Sequence, residues 1–332
     1  MIEQIPSTAP AAYHERYGAP RLVGQRELAV PAPPDDGVVV RVRAAGINRG
    51  DGLAIEGIPY AARLSYGITR PKHRVPGTDV AGVVAAVGPD VTTLTVGDAV
   101  YGWARGAFAR YAAASAGDLT RKPDTLTYEE AAAVPTAAVT ALQALRLAGI
   151  ESGRASGQRV LAIGASGGVG SFAVQLATAY GAVVTGVCSN RNVDLVRSFG
   201  ARHVVDYTQA DPTAERRRYD AVLDLAGRAP LTRARRTLRR GGTYVVVGGG
   251  EPRSLTGLRR FAAAVLLSPF GPERLRPLFA SPEPADLEVV TGLLASGDVA
   301  PYVEAAYDLR DAADAVEYVH RGRARGKVVL VP

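Results

Sequence analysis

The segment that most constrains this chain is Val160-Leu161-Ala162-Ile163-Gly164-Ala165-Ser166-Gly167-Gly168-Val169-Gly170. An apolar run that breaks into glycines and then re-enters an apolar, helix-forming stretch reads as strand, tight turn and helix. Strands and helices then go on alternating, and the last strand of the series is stopped by Gly248-Gly249-Gly250. Strands are expected at 159–163, 183–188, 203–206, 220–225 and 244–247, with helices at 168–180, 193–199 and 231–239 between them. Apolar strands spaced by single helices predict a doubly wound parallel sheet, an α/β fold. After Glu251 the chain reads as mostly helical to about Ser296. In that context the turn is a dinucleotide site. Gly167 lets the backbone approach a pyrophosphate, Gly170 lets helix and strand pack closely, and Ala165, Ser166, Gly168 and Val169 complete the cradle. Ala165 stands where the first glycine of the fingerprint is usual. The helix N-terminus offers unpaired N–H donors and the positive end of its dipole.

Cofactor preference is read at the end of the second strand, where an acidic residue would take the ribose hydroxyls of NADH. Here the chain reads Ser189-Asn190-Arg191, with no acid. Ser189 and Asn190 can hydrogen-bond a 2′-phosphate and Arg191 can pair with it, so NADPH is expected. The alternative is that Arg191 is a solvated residue at a helix start.

The first 120 residues have another texture. Short β-branched runs such as 38–43 and 80–87 are punctuated by glycine, proline and aspartate, the pattern of a compact barrel. Two domains suit the length of 332 residues. A single cysteine, Cys188, rules out an intrachain disulfide, a four-cysteine zinc lobe and a CxxC pair. The four histidines show no HxxxH or HExxH spacing. The net charge of +7 comes from scattered arginines, which read as solvated faces; no nucleic-acid partner is expected. No basic leader with an apolar core opens the chain, and no apolar run approaches the ~18 residues of a membrane span, so a cytoplasmic protein with no membrane partner is expected.

Four blocks, in order, resemble the medium-chain dehydrogenase/reductase superfamily and its zinc-free quinone oxidoreductase-like branch, the zeta-crystallin and enoyl reductase relatives. They are Ala44-Ala45-Gly46-Ile47-Asn48-Arg49-Gly50-Asp51, residues 76–84 (Pro-Gly-Thr-Asp-Val-Ala-Gly-Val-Val), residues 131–142, and Gly164 to Gly170; the C-terminal Gly326-Lys327-Val328-Val329-Leu330 also fits. The resemblance implies a GroES-like β-barrel catalytic domain, residues 1–123 and 297–332, around a Rossmann domain, residues 124–296. It implies that Asn48 faces nicotinamide and substrate, that Thr136 and Thr140 line the opposite wall, that Tyr207 lies near the adenosine phosphate, and that Gly248 and Gly249 pass the nicotinamide ribose. Zinc-dependent cousins carry metal ligands where Asn48, Thr78 and Asp79 stand, and no metal is expected here. Blander roles are open: a left-handed turn at Asn48, back-bonding of the two threonines within their helix.

The activity implied is hydride transfer from NADPH to an enone or quinone, an apolar carbonyl substrate of secondary metabolism. Asn48, Tyr60 and Tyr66 are the candidate donors to the developing oxyanion, although both tyrosines also read as half-exposed loop residues. Gly52-Leu53-Ala54-Ile55 replace the aromatic and basic residues usual after Asp51, which suggests a larger, greasier pocket. Arg228 follows Gly227 where an asparagine is usual. A non-redox cyclisation or isomerisation on the same fold, and a non-catalytic NADPH-binding protein, are the alternatives. The resemblance also implies a homodimer formed through the sheet edge near 244–247.

Overall fold

A computed structural model describes residues 4–227, 229–248 and 258–332. In chain order the main elements begin with β1 (Thr8–Tyr13), β2 (Gly24–Ala29), β3 (Gly37–Ile47), α1 (Arg49–Glu56) and α2 (Arg63–Tyr66). Next come β4 (Asp79–Val87), β5 (Ala99–Trp103), β6 (Tyr111–Ser115), β7 (Leu119–Arg121), α3 (Tyr128–Ala132) and α4 (Pro135–Ala148). The alternating stretch holds β8 (Arg159–Ile163), α5 (Gly168–Ala179), β9 (Val183–Cys188), α6 (Val193–Ser198), β10 (His203–Asp206), β11 (Tyr219–Asp224), α7 (Leu231–Ala234) and β12 (Leu238–Val246). The remainder is α8 (Arg259–Leu267), β13 (Arg274–Pro277), α9 (Pro284–Ala295), β14 (Val303–Asp308), α10 (Ala312–His320) and β15 (Lys327–Val331).

The chain divides into two compact units: Met1–Thr136 with Pro282–Thr291 and Pro301–Pro332, and Ala137–Ser281 with Gly292–Ala300. In the first unit, among the described residues, a seven-stranded mixed sheet runs β14-β15-β3-β4-β5-β7, with β6 also paired to β3. Strand β3 shows how alternation builds it: Val38, Val40 and Val42 enter the main core, while Val39 faces a second cluster with Ala9 and Tyr111. Helix α3 lies so close to β3 that a Cβ at Gly46 would sit 2.1 Å from the Ala132 carbonyl oxygen. Only glycine fits there.

The second unit is the expected doubly wound sheet. Its six strands, among the described residues, are all parallel in the order β10-β9-β8-β11-β12-β13. Val160, Leu161 and Ala162 are consecutive and buried, as are Ala221, Val222 and Leu223, because helices cover both faces. Two expectations need correction. The helix expected over 231–239 is one turn plus a 3-10 turn, because Leu238 and Arg239 already belong to β12. The edge expected near 244–247 is internal, since Arg274–Pro277 adds β13 outside it. Arg-Leu-Arg-Pro carries one apolar residue and a proline, too weak a strand signal to stand out from helix.

Candidate active site

Four adjacent strands of the first unit end on one row, and each ends on a polar or aromatic side chain. β15 begins at Lys327, β3 ends beside Asn48, β4 begins at Asp79 and β5 ends at Trp103; the pairs Val328–Ile47 and Asp79–Trp103 set the register. Asp79 is fully buried and Lys327 nearly so. Lys327 Nζ donates to Asn48 Oδ1 at 2.6 Å and to the Ile47 carbonyl at 3.1 Å, and lies 3.6 Å from Asp79 Oδ2. Asn48 Nδ2 donates to Asp79 Oδ2 at 2.9 Å. The other side of Asp79 is held from α4: Thr136 donates its hydroxyl to Oδ1 at 2.5 Å and its backbone N–H to Oδ2 at 3.3 Å. Trp103 Nε1 donates in turn to Thr136 Oγ1 at 3.2 Å.

Asn48 is half-buried in extended backbone (φ −115, ψ 154), so the left-handed turn is not what it serves. Its N–H donates to Asp51 Oδ2 at 2.7 Å, which fixes the start of α1. The Asp51 carboxyl is pushed up to about 7, chiefly by burial and further by the Asp79 charge, against the Asn48 N–H and Lys327. Burial likewise holds the Lys327 ammonium below its usual range, opposed by the Asp79 and Asp51 charges. Thr136 spends its hydroxyl on Asp79 rather than on its own helix. Thr140, one turn on and therefore on the same helix face, is buried.

Tyr60 and Tyr66 are about half exposed on the 58–67 segment, and the Arg63 guanidinium stacks between Tyr17 and Tyr60, at 4.5 and 5.1 Å from the ring centres. The room expected from Gly52 is already filled. A Cβ there would stand 2.7 Å from His320 Nδ1 on α10, and Ile55 is wholly buried in the core. Small residues after Asp51 therefore let α1 pack on α10.

In the second unit the glycine turn is tight on one side and open on the other. A Cβ at Gly170 would lie 2.2 Å from the Gly164 carbonyl oxygen, so strand and helix meet backbone to backbone. At Gly167 a Cβ would meet only that same oxygen, at 3.5 Å, which leaves the approach to the first turn of α5 open. Gly167 caps α5 with no side chain, so the N–H groups of Gly168, Val169 and Gly170 have no helical acceptor. Ala165 is buried, and its N–H donates to the Val187 carbonyl. Ser166 is fixed by Asn192, whose Nδ2 donates to its Oγ at 3.0 Å and to Ser189 Oγ at 3.4 Å. Asn190 and Arg191 are exposed in the 3-10 turn after β9, and the parallel pairing of β10 brings exposed Tyr207 beside them, its N–H on the Cys188 carbonyl. Gly248 donates its N–H to the Asp224 carbonyl, whereas Gly249 and Arg228 lie outside the described residues.

Several polar groups escape sequence reading. Asp224, at the end of β11, is fully buried, with Gly227 N–H on Oδ1 at 2.9 Å and Tyr244 Oη on Oδ2 at 2.8 Å. Arg260 of α8 donates to Asp224 Oδ2 and, at 2.9 Å, to the Ala229 carbonyl. The Asp224 charge and burial push the Tyr244 phenol far up, burial contributing more. Asn192, Lys327 and Arg260 are polar residues among many. Strand order brings Lys327 to Asn48 and Asn192 to Ser166, and helix α8 brings Arg260 to Asp224; no spacing in the chain announces that.

Residues 34–124 match the family model of the alcohol dehydrogenase GroES-like domain, and residues 199–330 that of zinc-binding dehydrogenases. The mitochondrial NAD(P)H oxidoreductase RTN4IP1 of Mus musculus is 31% identical over 360 residues, covering 97% of this chain and 88% of its own. The 2-methylene-furan-3-one reductase of Solanum lycopersicum is 31% identical over 345 residues, covering 99% and 80%. The structure of Escherichia coli quinone oxidoreductase complexed with NADPH superposes with a TM-score of 0.80 at 25% identity, over 98% of this chain and all of that one. The fold is accordingly a GroES-like domain with a Rossmann domain. This chain belongs to the medium-chain dehydrogenase/reductase superfamily, in its quinone oxidoreductase branch, and is an oxidoreductase that uses a nicotinamide cofactor.

Proposed function

We propose that this enzyme is a zinc-independent, NADPH-dependent reductase of enones or quinones. The observation that carries this reading is the buried Lys327–Asn48–Asp79–Thr136 cluster. A resident ammonium already satisfies the carboxylate and amide oxygens that a cation would need, so these residues do not fit zinc. A soft ligand set is also missing: among the described residues no three His, Cys, Asp or Glu side chains gather as a metal site. The cradle at Gly167 to Gly170 does fit a dinucleotide, because open space and unpaired N–H groups meet there.

When bound, the reduced nicotinamide supplies the hydride. The chain's own residues bind and orient. Gly168 and Val169 present backbone N–H groups to the pyrophosphate across the open face of Gly167, whose own N–H is spent on the Gly164 carbonyl, with Ser166 beside them. Ser189, Asn190 and Arg191 take the 2′-phosphate, with Tyr207 alongside. The second N–H of Asn48 Nδ2 has no acceptor among the described residues, and it is the donor for a carbonyl oxygen gaining negative charge. Tyr60 and Tyr66 are second candidates for that donation. The relatives support the substrate class, since one reduces a 2-methylene-furan-3-one and another is a quinone oxidoreductase. A homodimer through the β13 edge is part of the same reading; Val265 and Leu266 of α8, with Phe270 and Phe279 on either side of β13, are the exposed apolar surface a second copy would cover.

The test follows NADPH absorbance with a panel of enones and quinones while mass spectrometry reads the products. NADPH consumption with a gain of two hydrogens is the expected result. A product of unchanged mass would indicate a non-redox pathway enzyme, and bound NADPH without any product would indicate a binding protein.

A further inference from the structure

An asparagine amide has two ends of similar shape and opposite hydrogen-bonding character, and a half-turn exchanges them. At Asn48 both ends face charged groups of fixed role. Lys327 Nζ can only donate, and the Asp79 carboxylate can only accept. A half-turn would set the amide N–H groups against an ammonium and the amide oxygen against a carboxylate. Two charge-assisted hydrogen bonds would become two repulsions. The pair that enforces this is placed deep: Asp79 is 0% and Lys327 3% exposed.

Burial of such a pair is a poor way to gain stability, because desolvation consumes most of the attraction. The surroundings hold the charges in position instead. Thr136 engages Asp79 through both its hydroxyl and its N–H, Trp103 steadies the Thr136 hydroxyl, and the Ile47 carbonyl takes a second ammonium hydrogen. The net result is one amide N–H committed to Asp79 and one left over.

We propose that Lys327 and Asp79 are positioning residues that act through Asn48, locking its amide so that one N–H stays available to the substrate oxygen. This rests on the reading of Asn48 as the oxygen's hydrogen-bond donor. Neither residue touches substrate or cofactor in this scheme.

A double-mutant cycle with Asn48→Ala and Lys327→Met tests it, using NADPH and an enone that the wild type turns over. Asn48→Ala is expected to lower kcat on the order of a hundredfold, and Lys327→Met on the order of tenfold to a hundredfold. The double variant should be no slower than Asn48→Ala, with the NADPH dissociation constant within about twofold throughout. Losses that multiply, or wild-type kcat in Lys327→Met, would overturn the positioning role while leaving the reductase reading intact. Wild-type kcat in Asn48→Ala would instead remove the donor reading on which the proposal rests. A second readout needs no turnover. The side-chain amide resonances of Asn48, assigned by their loss in Asn48→Ala, should shift in Lys327→Met, and unchanged resonances would also overturn the proposal. If Lys327→Met does not fold, the nearly isosteric Asp79→Asn takes its place in the cycle with the same expectations.

Discussion

Single residues carry the sharpest electrostatics of this protein. Asp51 is buried with its carboxyl raised to about 7, so the folded chain holds that proton more tightly than the unfolded chain, where the ordinary value is near 3.8. Its contribution to stability is therefore complete below about pH 4 and is lost as pH rises through about 7, by at most about 4 kcal/mol. His14 acts with the opposite sign, because burial lowers its pKa and favours the folded state as pH rises. The difference between wild type and Asp51→Asn isolates the carboxyl. In urea titrations across this range, Asp51→Asn should gain on wild type as pH increases; a constant difference would show that Asp51 does not titrate there. Arg191→Ala tests the other residue-scale expectation. NADPH should bind on the order of tenfold to a hundredfold more weakly, the loss of a charged hydrogen bond, while NADH affinity stays level. An equal loss for both cofactors would place Arg191 away from the 2′-phosphate.

At the scale of elements, the glycines and buried ion pairs decide how closely pieces can approach. Gly170→Ala puts a Cβ into the Gly164 carbonyl, so α5 must retreat from β8; overpacking of this kind costs about 1–3 kcal/mol and should weaken dinucleotide binding in the same variant. A Gly170→Ala chain as stable as wild type would mean that the turn has slack. Asp224 ties β11, β12, α8 and the loop at Gly227 together through one carboxylate. Replacing Arg260 by leucine takes a guanidinium away from that buried charge, and unfolding free energy should drop by about 3 kcal/mol. The local elements were largely legible in the chain. The parallel strands announced themselves because helices on both faces require continuous apolar runs. Strand β13 did not, and neither did the early end of α7, since short arginine-rich stretches have no period to read.

For the whole molecule, the expected chemistry depends on which cation the catalytic unit uses. With Lys327 resident between Asn48 and Asp79, exhaustive dialysis against a chelator should leave reductase activity unchanged; loss that zinc restores would contradict the metal-free reading. Sedimentation should give twice the chain mass of 34.6 kDa, and a monomer would dispose of the dimer through β13. Among the described residues no helix is long and apolar enough to cross a membrane.

The sequence by itself determined the doubly wound sheet, the strand–glycine turn–helix at 159–179 and the family. Those rest on local patterns: apolar runs, glycines that permit close approach, and blocks kept in order along the chain. It also singled out Asn48, Thr136 and the 189–191 segment as candidates, but not what holds them. That Lys327, 279 positions from Asn48, donates to its amide was decided only by β15 pairing with β3. That Gly52 makes room for His320 rather than for a substrate was decided by α10 lying on α1. The reason is physical. A buried charge is tolerable only where its partners converge, and partners contributed by strands distant in sequence are chosen by register and sheet order, which no local window of residues contains.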